Sequence, residues 1–206
     1  MKNSRRNKNP KILNRTIVLP IGTLAIIRLV FFFSSAYEPN WTFNWEEIRP
    51  EIRDTVKLIE DYGSVTSGVV GIDAKTPKQW YRRRWLMKNA STEELKKLKS
   101  YPNGAVKTTA YEGLIRMSNS DKYELMIQAL NDTTTFFNYQ SGCVGFPKMI
   151  GEYLAENVIP ISDRVPPLPP ERMVKYNLTE EKILNLRKLY NERIEKKEEY
   201  LRKNYE

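Results

Sequence analysis

Hydrophobic positions recur at helical spacing along most of this chain, and the breaks between the repeats place the element boundaries. Ile52, Val56, Ile59 and Tyr62 form one stripe behind Pro50, which suits a first helical turn, and Gly63 is a natural stop. The next stretch, "GSVTSGVVGIDAKT", carries glycines and β-branched residues and reads as a loop or a short buried extended piece. Thr76 as cap and Pro77 at the first position then open a helix through "KQWYRRRWLMKN". In it Tyr81 and Trp85 share a face, which the spacing predicts to be a buried aromatic stripe, while Arg82 and Arg83 turn elsewhere.

"STEELKKLKSY" opens with a capping box, Ser91 three residues before Glu94. A Pro102-Asn103-Gly104 break follows, and Val106, Ala110, Leu114 and Met117 then repeat at helical spacing, so two short helices are expected to pack antiparallel across a tight turn. A third helix carries Tyr123, Met126, Ile127 and Leu130 on one side. "TTTFFNYQSGCVGF" reads as an irregular connection, after which Pro147 is expected to start a helix with Ile150, Tyr153, Leu154 and Val158 as its apolar side. Prolines at 160, 166, 167, 169 and 170 predict an extended polyproline-like segment over 159–178. Thr179 then caps a long final helix over 179–203, with Ile183, Leu186, Tyr190 and Ile194 on its buried face.

The first 37 residues follow a different pattern. Twelve Ile, Val, Leu or Phe residues fall between positions 17 and 33, interrupted by Arg28. Each apolar residue favours insertion by about 0.3–0.6 kcal/mol and a central Arg opposes it by about 2.5–3.5 kcal/mol, so the balance still favours a membrane span over residues 16–36. The alternative is a signal peptide with an apolar core from Ile17 to Ile27 and cleavage near Ala36, behind small residues Ser34 and Ala36. Under both readings the positive charges ahead of the run keep the N-terminus inside, and the body lies outside the cytoplasmic membrane or, after cleavage, in the periplasm.

Charge and composition then narrow the functions. Of the net charge of +9, seven units come from Lys2, Arg5, Arg6, Lys8, Lys11, Arg15 and Arg28, which leaves +2 on everything beyond the leader. The basic balance is therefore a topology signal and not a nucleic-acid footprint. The chain has no histidine, which removes the usual general base near neutral pH and the commonest metal ligand, and Cys143 is its single cysteine. No metal, cofactor or nucleic acid is expected, and no intramolecular disulfide can form.

The segments "NASTEELKKL", "YPNGAVKTTAYEGLIRM", "ALND" and "SGCVGFPKMIGEYL" together resemble a bacterial HEAT-like, armadillo-type group of helical-repeat proteins of unassigned function. The resemblance spans about residues 50–203. It implies an all-α fold, in which short helices stack and small residues such as Ala110 and Gly113 allow close approach. It transfers packing and no catalytic residue. The expected organisation is thus a basic tail with anchor or signal over 1–37, a linker over 38–49 and a HEAT-like helical domain over 50–203.

The expected function is a non-enzymatic protein–protein interaction or scaffold module of the cell envelope, with an envelope protein as partner. Its candidate surface is the "WYRRRW" run, Trp80, Tyr81, Arg82, Arg83, Arg84 and Trp85. Two alternatives stand beside it: an enzyme or small-ligand binder using the "SGCVGF" loop around Cys143 together with the Trp80 and Trp85 region, and an anionic membrane-surface binder through Arg82 to Arg84. The neighbouring pairs Glu46/Glu47, Glu93/Glu94 and Glu180/Glu181 lie near helix starts, where negative charge suits the helix dipole, and are expected to be solvated.

Overall fold

The computed structural model describes residues 43–117 and 119–205, together with Arg28. The membrane span over 16–36 and the cleavage site near Ala36 lie outside the described residues. Among those described, no helix is long and apolar enough to cross a membrane.

The body is one compact unit from Trp45 onward. Trp45 packs on the Tyr101 ring at 5.6 Å between centroids, and Ile48 is buried, so the end of the linker stretch is docked. Helix α1 (Pro50–Tyr62) has Pro in its first turn, buries Ile52, Val56 and Ile59, and stops at Gly63, whose φ of +71° is a left-handed cap that favours glycine. Tyr62, at the end of the stripe, is exposed. Strand β1 (Ser64–Val70) follows, then α2 (Lys78–Asn89) and α3 (Thr92–Leu98). The Ser91–Glu94 capping box at the start of α3 is complete in both directions. Helix α2 starts one residue later than expected, with Pro77 at the cap position and no side-chain cap.

Helix α4 (Gly104–Arg116) is capped by Asn103, whose side chain accepts from the amides of Ala105 and Val106. It is the centre of the body, with eleven of its thirteen residues buried and contacts to α1, α2, α3, β1 and β2. A helix buried on every side must present small residues where neighbours press closest. A Cβ on Gly113 would sit 2.9 Å from Leu95 Cδ1, so this glycine sets how closely α3 can lie. Helix α5 (Lys122–Asn131) packs on α4 and leads into the hairpin of β2 (Phe136–Gly142) and β3 (Val144–Met149).

The expectation of an all-α domain is corrected by these strands. They form a three-stranded mixed sheet in the order β1-β2-β3, with β1 parallel to β2 and β2 antiparallel to β3. Val65 lies opposite Tyr139, and Tyr139 opposite Phe146. Helical periodicity could not reveal them because the strands are short and only Phe137 and Tyr139 of β2 alternate cleanly with exposed neighbours. Gly142, at φ +57°, occupies the first position of the two-residue hairpin turn, where glycine relieves the strain of the backbone. Pro147 does not open a helix. It lies in the edge strand β3 opposite Asn138, where a missing N–H donor is tolerated, and the helix begins at Ile150.

Helix α6 (Ile150–Asn157) buries Ile150, Tyr153 and Leu154. The proline-rich stretch contains the short helix α7 (Pro170–Lys175), and α8 (Glu180–Tyr205) lays Ile183, Leu186, Tyr190 and Ile194 against the body in contact with α5 and α6.

Candidate functional site

Helix α2 buries two polar side chains on the same face as Leu86. Its aromatic residues Tyr81 and Trp85 are exposed, at 57% and 40%, while Gln79 and Arg83 are buried at 0% and 3%. The expected buried aromatic stripe is thus replaced by a polar one, one helical turn apart. The reason lies on the neighbouring elements, which supply acceptors for the buried N–H groups of both side chains, while Gln79 Oε1 has no partner among the described residues. Gln79 Nε2 donates to the carbonyls of Ile59 (3.2 Å) and Ser64 (2.8 Å), stitching α2 to the end of α1 and the start of β1.

Arg83 is the more consequential of the two. Its Nε donates to Thr109 Oγ1 at 2.9 Å, and its Nη1 reaches the Thr66 carbonyl at 3.4 Å. Its Nη2 donates to Glu112 Oε2 and, at 3.3 Å, to the Tyr153 hydroxyl. That hydroxyl in turn donates to Glu112 Oε2 at 3.0 Å. On the outer side Arg116 completes the carboxylate by placing Nε 2.9 Å and Nη2 2.6 Å from Glu112 Oε1. The arginine lies over the Tyr153 ring, with Cζ 5.6 Å from its centroid. One carboxylate therefore holds two guanidiniums and a phenol, drawn from α2, α4 and α6.

Electrostatics in this cluster are set by burial and then overruled by charge. Burial pushes the Glu112 carboxyl up, and the charges of Arg83 and Arg116 with the hydrogen bonds from Arg116 and Tyr153 outweigh it, so Glu112 lies below the usual carboxylate range. Burial raises the Tyr153 phenol well above its ordinary value, despite the opposing charge of Arg83. Glu112 and Arg83 are thus ionised and Tyr153 is neutral across the physiological range. The pair is nearly charge-compensated and has no group free to move a proton.

The cluster forms the floor of a cleft of about 780 Å³. Thr66 and Ser67 of β1, Tyr139 of β2 and Asn157 of α6 also line it. Its other side is α2, through Trp80, Arg84, Trp85 and Lys88. Arg84 lies over the Trp80 ring at 4.5 Å. The Thr66 hydroxyl is buried without a hydrogen-bond partner among the described residues.

The structure separates the sequence-predicted site residues into three groups. Trp80, Arg83, Arg84 and Trp85 line the cleft; Tyr81 packs edge-on against Trp80 outside it; and Arg82 reaches the Leu58 carbonyl at 3.4 Å. Because Arg83 is buried between them, Arg82 to Arg84 do not form one continuous cationic surface. Cys143 is exposed at the apex of the hairpin, beside an open depression that Val70, Ile72 and Lys75 also line, and does not reach the Trp80 and Trp85 cleft. The sequence did not single out Thr66, Ser67, Lys88, Glu112, Arg116, Tyr139, Tyr153 or Asn157 as site residues. The available signal was Glu112 itself, one carboxylate inside the otherwise small and apolar "TTAYEGLI". Among the described residues no cluster of acidic or cysteine side chains could hold a metal ion.

Comparison with protein-family models, with curated proteins and with solved structures finds no match, so the HEAT-like resemblance rests on the quoted segments alone.

Proposed function

We propose that this chain is a non-enzymatic binding module, held at the outer face of the cytoplasmic membrane by its leader, and that the cleft between α2 and the α4–α6–sheet wall is its recognition site. The observation that carries the reading is the floor of the cleft. Arg83, Glu112 and Tyr153 are all buried and all satisfied, which fixes a polar surface at the base of a concave site whose volume falls in the range of small-ligand pockets, about 300–1,000 Å³. A nucleophile or general base with a suitable pKa is missing from that floor, since its carboxylate is committed to two arginines. Binding without turnover is the activity such an arrangement supports. The topology rests on the charged apolar leader, and the attachment by anchor follows from the length of the span.

A photo-crosslinking amino acid placed at Trp85 in the full chain, in intact cells, tests the site. A discrete light-dependent adduct is expected from position 85 and not from Leu58, which is equally exposed on α1 outside the cleft. Adducts of equal yield at both positions, or none from 85 and none from Trp80, overturn it.

A further inference from the structure

We infer that the group recognised in this cleft is an organic oxyanion, a carboxylate or phosphate monoester carried on a flat or ring-shaped body; the inference rests on the cleft being the recognition site. Three observations lead to it. First, Arg83, Arg84, Lys88 and Arg116 set four positive charges against the one carboxylate of Glu112, so the lining carries a net charge of +3. In a concave site with low-dielectric walls that excess focuses an attractive potential on anions and opposes cations. Second, the excess is not evenly spread. Arg83 and Arg116 are engaged by Glu112, whereas Arg84 and Lys88, one turn apart on the exposed side of α2, have no carboxylate partner among the described residues. Compensation of the helix dipole accounts for a cation in the last turn of α2, which Lys88 supplies, but not for Arg84 a full turn earlier.

Third, the remaining lining is suited to the rest of such a molecule. Trp80 and Trp85 offer aromatic surface beside the cations, and Tyr139, Asn157 and Ser67 line the cleft as polar groups already ordered by bonds within the protein, Tyr139 to Asn157, Asn157 to the Tyr153 carbonyl and Ser67 to the Val69 carbonyl. The buried Thr66 hydroxyl, unpartnered among the described residues, lines the same cleft and adds a donor for a bound oxygen. The acid is therefore read by Arg84 and Lys88, with Arg116 beside them, while the Arg83–Glu112–Tyr153 floor is a positioning element that holds α2 against α4 and α6.

The test uses the full chain in non-ionic detergent micelles, with titration calorimetry and quenching of tryptophan fluorescence as readouts. The probes are phenyl phosphate, phenylacetate, its neutral isostere phenylacetamide, and an amidated peptide that combines glutamates with one phenylalanine. Phenyl phosphate or phenylacetate is expected to bind at least tenfold more tightly than phenylacetamide, with affinity falling as salt rises. The double change R84A/K88A, on exposed positions, is expected to weaken that binding at least tenfold while Lys57→Ala on α1 leaves it unchanged. Tighter binding of the acidic peptide than of the free acids keeps the oxyanion and assigns its source to a protein side chain; the reverse order assigns it to a small molecule. Equal affinity for acid and amide, or no binding of any acid, overturns the oxyanion. If crosslinking from position 85 persists in either case, the cleft survives as the recognition site and only its ligand class falls.

Discussion

Two arginine–glutamate clusters hold this body together, and they differ in the solvent they see. In the first, Glu94 takes Arg49 Nε at 3.1 Å and Nη2 at 2.9 Å, together with the backbone amides of Arg49 and Ser91. Its arginine is half exposed, with 50% of the side chain in water, while Glu94 itself is buried at 3%. In the second, Arg83 and Glu112 are both buried, at 4% and 5% of their side chains. The first is a clasp on the surface that fastens the incoming chain to the α2–α3 corner. The second is an interior junction of three helices. A charge that can turn to water loses little when its partner is removed, whereas a charge sealed in the interior loses its only compensation. The chemistry is the same in both and the expected dependence on it is not.

The largest break in that comparison is Glu112→Ala, which leaves Arg83 buried and uncompensated and is expected to lower stability by about 3–5 kcal/mol in urea denaturation. Combining it with Arg83→Met should restore much of the loss, because two well-packed neutral residues no longer need each other. A double change no more stable than Glu112→Ala alone means that the floor depends on shape and not on charge. Next in size is Glu94→Ala, which removes a carboxylate that accepts from two backbone amides and a guanidinium, and about 2 kcal/mol is expected. The partner change Arg49→Ala leaves Glu94 buried but still accepting from the amides of Ser91 and of residue 49, so its cost should stay below that of Glu112→Ala. Equal losses from both would place the clasp in the same class as the interior junction.

Smaller still is Ser91→Ala, about 1 kcal/mol, from the loss of one side of the capping box. The finest probe is acid. Burial pushes the Glu94 carboxyl up, but the hydrogen bonds from Arg49, Ser91 and the Arg49 amide bring it down from 4.5 to about 2. A carboxyl depressed in the folded state contributes stability that is whole above its unfolded value and is lost as pH falls through the folded one. Between pH 4.5 and 2 the stability of the wild-type chain should therefore decline more steeply than that of Glu94→Ala, and the slope that persists in the variant reports the other depressed carboxyls, Glu112, Asp132 and Glu199. Parallel pH curves for the two proteins would remove Glu94 from the acid response.

These two clusters also mark what can be read from residues in a row. The Glu94 clasp is half local: Ser91 and Glu94 are three residues apart, and a capping box is a pattern of backbone geometry that the sequence states directly. Its other half, Arg49, comes from 45 residues away and has no local signature. The Arg83 junction has as its local half only the Glu112–Arg116 pair, four residues apart on α4. Thr109, Glu112 and Tyr153 approach Arg83 across 26, 29 and 70 residues, and of the three only Glu112 stands out in its own helix. Periodicity assigned Tyr81 and Trp85 to the interior because apolar residues on a helical face are usually buried. That rule ranks residues by transfer from water and cannot include partners that arrive from elsewhere in the fold. With Glu112 and Tyr153 in place Arg83 is accommodated inside, and the aromatic pair is left to face the cleft and solvent.

The sequence by itself determined the positions of most helices, because stripes such as Ile52, Val56 and Ile59, the capping box at Ser91 and the stop at Gly63 act within a few residues of one another. It also determined the charge asymmetry between the first 37 residues and the rest, and the absence of histidine. Only the tertiary structure decided that "SVTSGVV" and "FFNYQSG" are strands, since a parallel pair between segments about seventy residues apart is stabilised by hydrogen bonds that neither segment makes alone. It alone decided which arginine of "WYRRRW" is interior and which face the cleft. Burial of a charge depends on where its counter-charge lies in space, and that distance is fixed only when α2, α4 and α6 have packed.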